Sequence, residues 1–315
     1  VFCLNSAHAL PVRAGEKFKV HKNNEYIVQA SQGNLLKSDR LIRKISKSLY
    51  LIESKSKKNL SFYKKSYPNY EYYGDYRDVV TSAVPNDTHF NKQYHHQMIE
   101  TTSAWQITKG SDEVIIAVTD NEFQLDHKDL EGTWWKNSKE IPDNGIDDDQ
   151  NGYIDDVYGW DFIDQDNNVD STEDPTHGTH VSGIITGVSN NSYGGSGIAP
   201  GLKVMPLRWY GSSGNWTSAI IAETYHYAVD NGAKIISTSY GIDFLVEDKL
   251  YRDTLLYVSE NDVLVFNSAG NGDIENPERQ KIEDVILVCS VSSKRSNADK
   301  KSKFSNYGTG IDICA

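Results

Sequence analysis

Apolar residues in the larger, later part of the chain fall into short runs separated by polar and helical stretches. Buried strands are predicted at residues 114–118, 202–207, 234–238, 263–267 and 285–291, where β-branched and other apolar residues cluster. Between two of these runs, residues 216–229 place apolar side chains on one face at helical spacing, and Asn231-Gly232 supplies a stop signal. Strands that alternate with helices predict an α/β domain with a doubly wound, mostly parallel sheet and helices on both faces.

The first part of the chain has a different pattern. Residues 16–28 and 49–53 have strand-like character, and residues 35–48 space their apolar side chains in a near-helical way. This predicts a small α+β unit. The first nine residues end in Ala7-His8-Ala9, a small-x-small site that partly matches the end of a signal peptide. We therefore divide the chain into a signal-peptide remnant at 1–9, a small unit at 10–84 and a large domain at 85–315.

The charge of the chain is distributed unevenly between these parts. Residues 10–84 carry 15 Lys+Arg against 7 Asp+Glu, whereas residues 85–315 carry 17 against 37. Two adjoining segments of opposite sign are expected to attract each other. The lysines of the basic segment are scattered and no aromatic or helix-turn-helix pattern accompanies them, so nucleic-acid binding is not favoured. No run of about 20 apolar residues predicts a membrane span.

Cysteine is rare in the sequence. Three cysteines exclude a dense disulfide framework. Cys289 and Cys314 lie in apolar runs, which favours buried thiols. A single disulfide remains an alternative that depends on a proximity the sequence does not show.

Three residues whose side chains could take part in catalysis lie next to predicted strands or open a predicted helix, in a particular order along the chain. Asp120 ends the segment 114–120, which contains the apolar run at 114–118. His177 opens a helical segment within Thr-His-Gly-Thr-His-Val, and Asn271 follows the run at 263–267. This arrangement resembles the subtilisin-like serine peptidases, in which Asp, His and Ser of the triad occur in that order along the chain. The resemblance implies that His177 is a general base, that Asp120 orients it, and that Asn271 donates a hydrogen bond to an oxyanion.

Two departures from the family pattern stand out. The nucleophile motif of the Gly-Thr-Ser-Met-Ala type does not occur in the 315 residues, and residues 311–315 resemble the segment that shortly precedes it. We expect a catalytic domain interrupted before its nucleophile and therefore inactive as this chain alone. In addition, Asn121-Glu122 replaces the usual Ser/Thr-Gly, and we expect a lost tight turn and a carboxylate near the substrate cleft.

The resemblance also implies where a peptide would bind. Ser239, Tyr240 and Gly241 resemble an edge segment that pairs with the substrate backbone, and Ser213 and Gly214 resemble the opposite edge. Pairing of an extended peptide between two edges recognises backbone more than side chains, so protein or peptide substrates and broad specificity are expected.

An acidic stretch at residues 143–156 supplies oxygen donors at alternate positions, and Gly152 allows a sharp turn, as in the first half of a calcium loop. The twelfth-position Glu is replaced by Tyr158, so a later carboxylate must close the site. The predicted Ca²⁺ ligands are Asp147, Asp149, Asn151, Tyr153 through its carbonyl, and Asp155 or Asp156. A solvated acidic loop is the alternative. The family resemblance further implies a second site at Asp129 and Asn191, with Ser82 where a glutamine ligand is expected.

These observations give one leading hypothesis and one alternative. The first is a secreted, calcium-stabilised, monomeric serine endopeptidase made as a self-inhibited precursor. Residues 10–84 would then be a pro-segment that docks on the acidic domain and assists its folding. The alternative is a catalytically inactive calcium- and peptide-binding module of the same fold, which the changed Asn121-Glu122 and the absent serine motif favour.

Overall fold

The computed structural model describes residues 25–29, 40–44, 49–53, 84–170, 176–210, 217–292 and 300–315. The chain divides into two units, Val1–Thr81 and Ser82–Ala315. The predicted signal-peptide remnant at 1–9, the second substrate edge at Ser213 and Gly214, and Ser82 lie outside the described residues.

The described residues of the first unit form three antiparallel strands: β1 (Glu25–Gln29), β2 (Arg40–Lys44) and β3 (Leu49–Glu53), in the order β1-β3-β2. The strand predicted at 49–53 is confirmed. The helix predicted over 35–48 is wrong at β2, which pairs with β3. The register shifts between Leu41 and Arg43. Because such a bulge interrupts the two-residue alternation of a strand, the sequence of β2 does not show the usual strand pattern.

The second unit is built on a seven-stranded sheet in the order β10-β9-β8-β7-β4-β6-β5. Every neighbouring pair in it is parallel, and the predicted α/β fold class is confirmed. Its strands are β4 (Ile115–Asp120), β5 (Trp160–Asp161), β6 (Lys203–Arg208), β7 (Ile235–Thr238), β8 (Leu264–Ser268), β9 (Val285–Cys289) and β10 (Ile313–Cys314). The five predicted strands of this domain correspond to β4, β6, β7, β8 and β9.

The helices of this unit differ in length and position. They are α1 (His95–Met98), α2 (Thr101–Ala104), α3 (Thr176–Thr186), α4 (Ser218–Asp230) and α5 (Lys249–Glu260). Short 3₁₀ helices occupy Phe90–Lys92, Lys128–Leu130, Asp243–Leu245 and Glu278–Lys281. The helix predicted at 216–229 is α4, which begins where the Thr217 side chain accepts the Ile220 N–H. Within the described ranges, no helix combines the length and apolar character that crossing a membrane requires.

Successive residues of the central strand β4 face opposite sides of the sheet. Ala117 belongs to a core with Tyr225 of α4 and Leu255 of α5. Ile116 and Val118 belong to a second core, against which Val181 and Ile185 of α3 pack. The sheet is therefore covered by α4 and α5 on one face and by α3 on the other, as a doubly wound fold requires.

The two cysteines at the edge of the sheet are joined. Cys289 of β9 and Cys314 of β10 are partners in the parallel register and form a disulfide, with Cα atoms 4.3 Å apart. The expectation of two buried thiols is therefore wrong. The pairing of β10 with β9 creates a proximity that a separation of 25 residues along the chain does not reveal.

Helix α3 approaches the end of β4 through a glycine. A Cβ atom at Gly178 would lie 2.5 Å from the Glu122 carbonyl oxygen and 3.1 Å from the Asp120 Cβ. The backbone of α3 can approach this closely only because residue 178 has no side chain. At Gly183 of the same helix, by contrast, a Cβ would meet no atom within 4 Å.

These two glycines give a matched pair of substitutions in one helix. Gly178→Ala is expected to lower the free energy of unfolding by about 1–3 kcal/mol, because backbone must shift to admit the methyl group. Gly183→Ala is expected to raise it by about 0.5–1 kcal/mol, because alanine favours a helix interior. Denaturant unfolding of both variants measures the difference. Equal effects of the two substitutions would show that α3 is not closely packed at residue 178.

Candidate active site

Asp120 is placed by the central strand. It is the last residue of β4, and its carbonyl oxygen accepts the N–H of Trp209, the residue that follows β6, at 3.2 Å. The Asp120 side chain is 7% exposed. In parallel α/β sheets the carboxyl ends of the strands form the edge where ligands bind, and Asp120 lies at this edge.

His177 is the second residue of α3 and faces this carboxylate. Its Nδ1 lies 2.7 Å from Oδ1 and 2.8 Å from Oδ2 of Asp120. A carboxylate in this position holds the proton on Nδ1 and leaves Nε2 as a proton acceptor. The hydrogen bond to Asp120 raises the pKa of His177, and the His177 side chain is 55% exposed. The arrangement is that of a base held in one tautomer at a surface cleft.

The unusual pair after Asp120 supports this geometry. The Asn121 N–H donates to Asp120 Oδ1 at 2.8 Å, and Asn121 Oδ1 accepts the N–H groups of Glu122 at 2.7 Å and Gly178 at 3.3 Å. The Asn121 side chain therefore bridges the turn after β4 and the first turn of α3. These hydrogen bonds are made at the position where a lost tight turn was expected.

Glu122 does not enter the cleft. It is buried, and its carboxylate lies 3.5 Å from the guanidinium of Arg208 at the end of β6. The same guanidinium also pairs with Asp161 and Asp164. The expectation of a carboxylate near the substrate cleft is wrong, because Arg208 holds Glu122 inside the protein.

A cleft of about 430 Å³ opens beside the histidine. Its walls are Thr119, Asp120, Asn121, His177, Trp209, Tyr210, Ser239, Tyr240 and Gly241. The structure thus brings the predicted substrate edge at Ser239, Tyr240 and Gly241 to the same cleft as Asp120 and His177. Ser239 and Gly241 are exposed.

Tyr240 is fixed in the wall of this cleft. Its ring centroid lies 4.0 Å from that of Trp209, and its hydroxyl donates to the hydroxyl of Tyr225 at 3.1 Å. The Asn267 side chain of β8 donates to the Tyr240 carbonyl oxygen at 2.9 Å. Sequence reasoning missed Trp209 and Tyr210 as wall residues; their place directly after the strand end of β6 was the available signal.

Asn271 lies in the loop that follows β8. It is exposed and lines a second cleft of about 350 Å³. This cleft is also lined by Ser239, which borders the first cleft as well. The two clefts therefore adjoin at Ser239, with Asp120 and His177 on one side and Asn271 on the other.

The acidic loop brings three carboxylates together. Ligand atoms of Glu140, Asp147 and Asp149 all lie within 4.8 Å of one another. Two oxygen ligands of one Ca²⁺ ion, each at about 2.3–2.6 Å, lie no more than about 5.2 Å apart. The group therefore has the spacing of a calcium site. Its nearby cation is Lys139, whose Nζ is 3.5 Å from Asp149 and whose side chain is 71% exposed.

Sequence reasoning missed Glu140, which precedes the acidic stretch and belongs to no motif there. It is buried, and its Oε1 accepts the N–H groups of Asp148 at 2.9 Å and Asp149 at 3.1 Å. Its other oxygen accepts the N–H of Asp155 at 3.1 Å. Glu140 thus binds the backbone of the acidic loop in its middle and near its end, which no local spacing rule reveals.

Four other predicted ligands lie outside this group of three. Asn151 donates to Asp156 at 3.0 Å, and Asp156 is fully buried and also bound by Asn137 and by the hydroxyl of Tyr227. Burial raises the pKa of Asp156. The Asp155 carboxylate accepts the N–H groups of Asn144 and Gly145, and the Tyr153 ring packs on Trp160 and Tyr227. These side-chain contacts shape the loop, and the role of the four residues as calcium ligands stays a prediction.

The second predicted calcium pair is close in space. The Asn191 amide nitrogen donates to Asp129 Oδ1 at 2.8 Å, and the N–H of Gly195 donates to Oδ2 at 2.9 Å. Asp129 is buried. The two residues are brought together, and here they are partners in a hydrogen bond.

Comparison with known proteins gives a consistent result. The sequence profile described as "Subtilase family" matches residues 111–315. A thermophilic serine proteinase of Bacillus sp. (strain AK1) is 32% identical over 234 residues, covering 74% of this chain and 51% of that protein. Thermitase of Thermoactinomyces vulgaris is 33% identical over 234 residues, covering 74% of this chain and 73% of thermitase.

Two further similarities concern an extracellular relative and a solved structure. The halolysin-like extracellular serine protease Nep of Natrialba magadii is 31% identical over 251 residues, covering 78% of this chain and 41% of that protein. The crystal structure of a lanthipeptide protease has a TM-score of 0.53 and 25% identity, covering 75% of this chain and 67% of that chain. The chain spans about half the length of the Bacillus relative and less than half of the Natrialba one.

Proposed function

The chain belongs to the subtilase family, and on that basis we propose that the full-length protein is a secreted, calcium-stabilised serine endopeptidase. Its proposed triad consists of Asp120, His177 and a serine in a motif that lies outside these 315 residues. The contact between the Asp120 carboxylate and His177 Nδ1, at 2.7 and 2.8 Å, carries the proposal. It occurs in a cleft that also contains the candidate substrate edge.

The proposed reaction is acyl transfer through a serine ester. The serine oxygen attacks the carbonyl carbon of the peptide while His177 Nε2 takes its proton, giving a tetrahedral intermediate. His177 then returns this proton to the leaving amine as the C–N bond breaks. A water molecule attacks the ester in the same way and releases the acid and the free serine. Asp120 stays ionised throughout and stabilises the charged imidazole.

Asn271 is the proposed donor to the oxygen of the tetrahedral intermediate. Its exposed position on the cleft that adjoins the histidine cleft at Ser239 supports this role. A donor aimed at the developing negative charge lowers the barrier because it is already oriented in the free enzyme. In subtilisin, such an asparagine contributes about 10²–10³ in kcat.

Proteins and peptides are the proposed substrates. The exposed Ser239 and Gly241 flank Tyr240 along one side of the cleft. An extended peptide laid along this edge would form backbone hydrogen bonds, with Ser213 and Gly214 proposed as the opposite edge. The aromatic wall formed by Trp209 and Tyr240 favours an apolar side chain on the acyl side of the cleaved bond.

Calcium is the proposed cofactor of the acidic loop, held by Glu140, Asp147 and Asp149. The donor set is made only of carboxylate oxygens, which suits a hard cation, and its spacing fits one ion. When bound, Ca²⁺ offsets the repulsion of the three carboxylates and stabilises the loop. Asp129 and Asn191 are a second proposed site, which the Asn191 side chain would enter by turning its amide oxygen toward Asp129.

Residues 10–84 are proposed to be an inhibitory pro-segment that binds the domain of the same chain, and the mature enzyme is proposed to be a monomer. The net charges of +8 and −20 that follow from the counts for residues 10–84 and 85–315 support this binding. Addition of the separate segment to mature enzyme should inhibit it at low salt. The similarity to an extracellular protease supports secretion.

The catalytic proposal is tested by active-site labelling of the full-length protein. A fluorophosphonate should label one serine in the folded protein, and peptide mapping should place it in a subtilase nucleophile motif. His177→Ala, with an unchanged melting temperature, should abolish labelling because the serine is no longer activated. A folded full-length protein that neither reacts nor cleaves peptides would be an inactive binding module instead.

Activity should fall on the acid side because His177 must be neutral to act as a base. Asp120 raises the pKa of His177 above 6.5, so kcat/KM of the full-length protein should decline as the pH falls through a value above 6.5. The contribution of the Asp120–His177 pair to the free energy of unfolding depends on pH in the opposite sense. It is fully present below pH 6.5, and it is lost as the pH rises through the pKa of His177 in the folded protein. A kcat/KM profile with its acid limb below pH 6 would contradict the assignment.

A further inference from the structure

The loop that carries Asn271 is held by an asparagine from a distant part of the chain. The side-chain nitrogen of Asn306 donates to the Ala269 carbonyl oxygen at 2.8 Å. Its side-chain oxygen accepts the N–H groups of Gly272 and Ile274, each at 2.9 Å. The Asn306 side chain thus makes three hydrogen bonds to backbone on both sides of Asn271.

The contact is buried, although Asn271 itself is exposed. Asn306 is 3% exposed, and its backbone N–H also donates to the Gly270 carbonyl oxygen at 2.9 Å. Hydrogen bonds in such a buried setting gain strength and hold one geometry. The backbone around Asn271 is therefore fixed from inside, while the side chain of Asn271 stays free to face the cleft.

Gly270 fits this arrangement for two independent reasons. Its φ of +99° favours glycine, and a Cβ on it would lie 2.5 Å from the Asn306 side-chain nitrogen. The backbone of the loop can therefore approach the amide of Asn306 only because residue 270 has no side chain.

We propose that Asn306 is the positioning residue of the oxyanion donor. This inference rests on the proposed role of Asn271 and assigns to Asn306 the orientation of that donor. A primary amide is required, because one group must donate to Ala269 and accept from both Gly272 and Ile274. Asparagine meets this requirement, whereas aspartate of the same shape can only accept.

Asn306→Asp in the full-length protein tests the proposal. It keeps the size of the side chain and sets a carboxylate oxygen against the Ala269 carbonyl, so the loop must move. We expect kcat on a peptide anilide to fall about 10- to 100-fold, because a displacement of about 1 Å at a reacting group costs about 10²-fold. KM should stay within about twofold, since the donor acts on the transition state.

The decisive measurement is a double-mutant cycle with Asn271→Ala. If Asn306 acts through Asn271, Asn306→Asp should cause no further loss of kcat in the Asn271→Ala protein. The affinity for a peptide boronate, an analogue of the tetrahedral intermediate, should fall by the same factor as kcat/KM in the single variant.

Two more variants keep the result clear. Gly270→Ala disturbs the same contact from the other side and should reproduce the loss of kcat, even if an Asn306 variant does not fold. Asn276→Asp is the matched control, because Asn276 lies in the same pair of loops but binds the Thr309 N–H at 3.1 Å. It should leave kcat within about twofold.

The outcomes separate the two proposals. Where the wild-type protein is active, two results would overturn the role of Asn306 alone. One is an unchanged kcat in Asn306→Asp; the other is an equal fold loss of kcat from Asn306→Asp in the wild-type and in the Asn271→Ala protein. A folded wild-type protein without activity overturns the proposed function, and the role of Asn306 with it. The inference is supported if Asn306→Asp and Gly270→Ala both lower kcat when Asn271 is present and cause no further loss in the Asn271→Ala protein.

Discussion

Replacing Asp120 by asparagine is expected to lower kcat of the full-length protein about 10⁴-fold, the loss seen when a triad aspartate becomes an amide. The carboxylate accepts the Nδ1 proton of His177 at 2.7 and 2.8 Å. An asparagine of the same size can turn its NH₂ group to this nitrogen and so favour the tautomer with the proton on Nε2. That tautomer cannot take a proton from serine, and the charged imidazole also loses its counter-ion.

Kinetics with a peptide anilide under substrate saturation measure this effect. Asp126→Asn is the control, because Asp126 is exposed in the loop after β4 and its carboxylate accepts a hydrogen bond from Gln124. The melting temperatures of both variants should stay close to that of the parent. A loss of less than about tenfold in Asp120→Asn would show that Asp120 does not orient the base.

Removal of calcium is expected to lower the melting temperature of the domain by about 10 °C. At a Ca²⁺ concentration of about 1,000 times Kd, binding contributes about 4 kcal/mol to the folded state. For a domain of this size, about 1 kcal/mol corresponds to about 2–4 °C. The physical source is the repulsion among Glu140, Asp147 and Asp149, whose ligand atoms lie within 4.8 Å of one another.

Calorimetry with and without a chelator measures the shift, and substitutions show where the ion binds. Asp147→Asn should abolish most of the calcium-dependent part of the melting temperature, because it removes one of three carboxylates. Asp143→Asn is the control in the same loop, since Asp143 lies outside the group and its φ of +59° is one that asparagine tolerates. Equal calcium dependence in the parent and in Asp147→Asn would exclude this site.

Much of the secondary structure of the large domain could be predicted, because the sequence patterns that indicate its strands and helix starts are local. Five of the seven strands of the sheet are short apolar runs, and the start of α4 coincides with the threonine whose side chain caps it. Asp120 and His177 were identified because the order in which one ends such a run and the other opens a helix resembles that of the subtilisin-like peptidases. Their hydrogen bond then follows from the meeting of β4 and α3, which Gly178 allows.

What could not be predicted depends on contacts between distant residues. Glu140 joins Asp147 and Asp149 in the group of three carboxylates because the chain folds back on the acidic loop, and Arg208 holds Glu122 away from the cleft. Cys289 and Cys314 meet only because β10 pairs with β9. None of these contacts has a spacing rule, since each is fixed by the tertiary fold.

The order of strands in the sheet has a consequence for how fast the domain can form. The central strand β4 comes first along the chain among the seven, yet both of its neighbours come much later: Ile115 pairs with Lys203, and Ile116 pairs with Ile235. Closing such long loops costs conformational entropy before the strand pairing offsets it. The folding rate of a chain with these contacts is therefore intrinsically low. During synthesis, β4 is made before both of its neighbours, so its apolar residues stay unpaired until β6 and β7 follow. A chaperone that covers this strand would therefore raise the folding rate and need not change the free energy of unfolding.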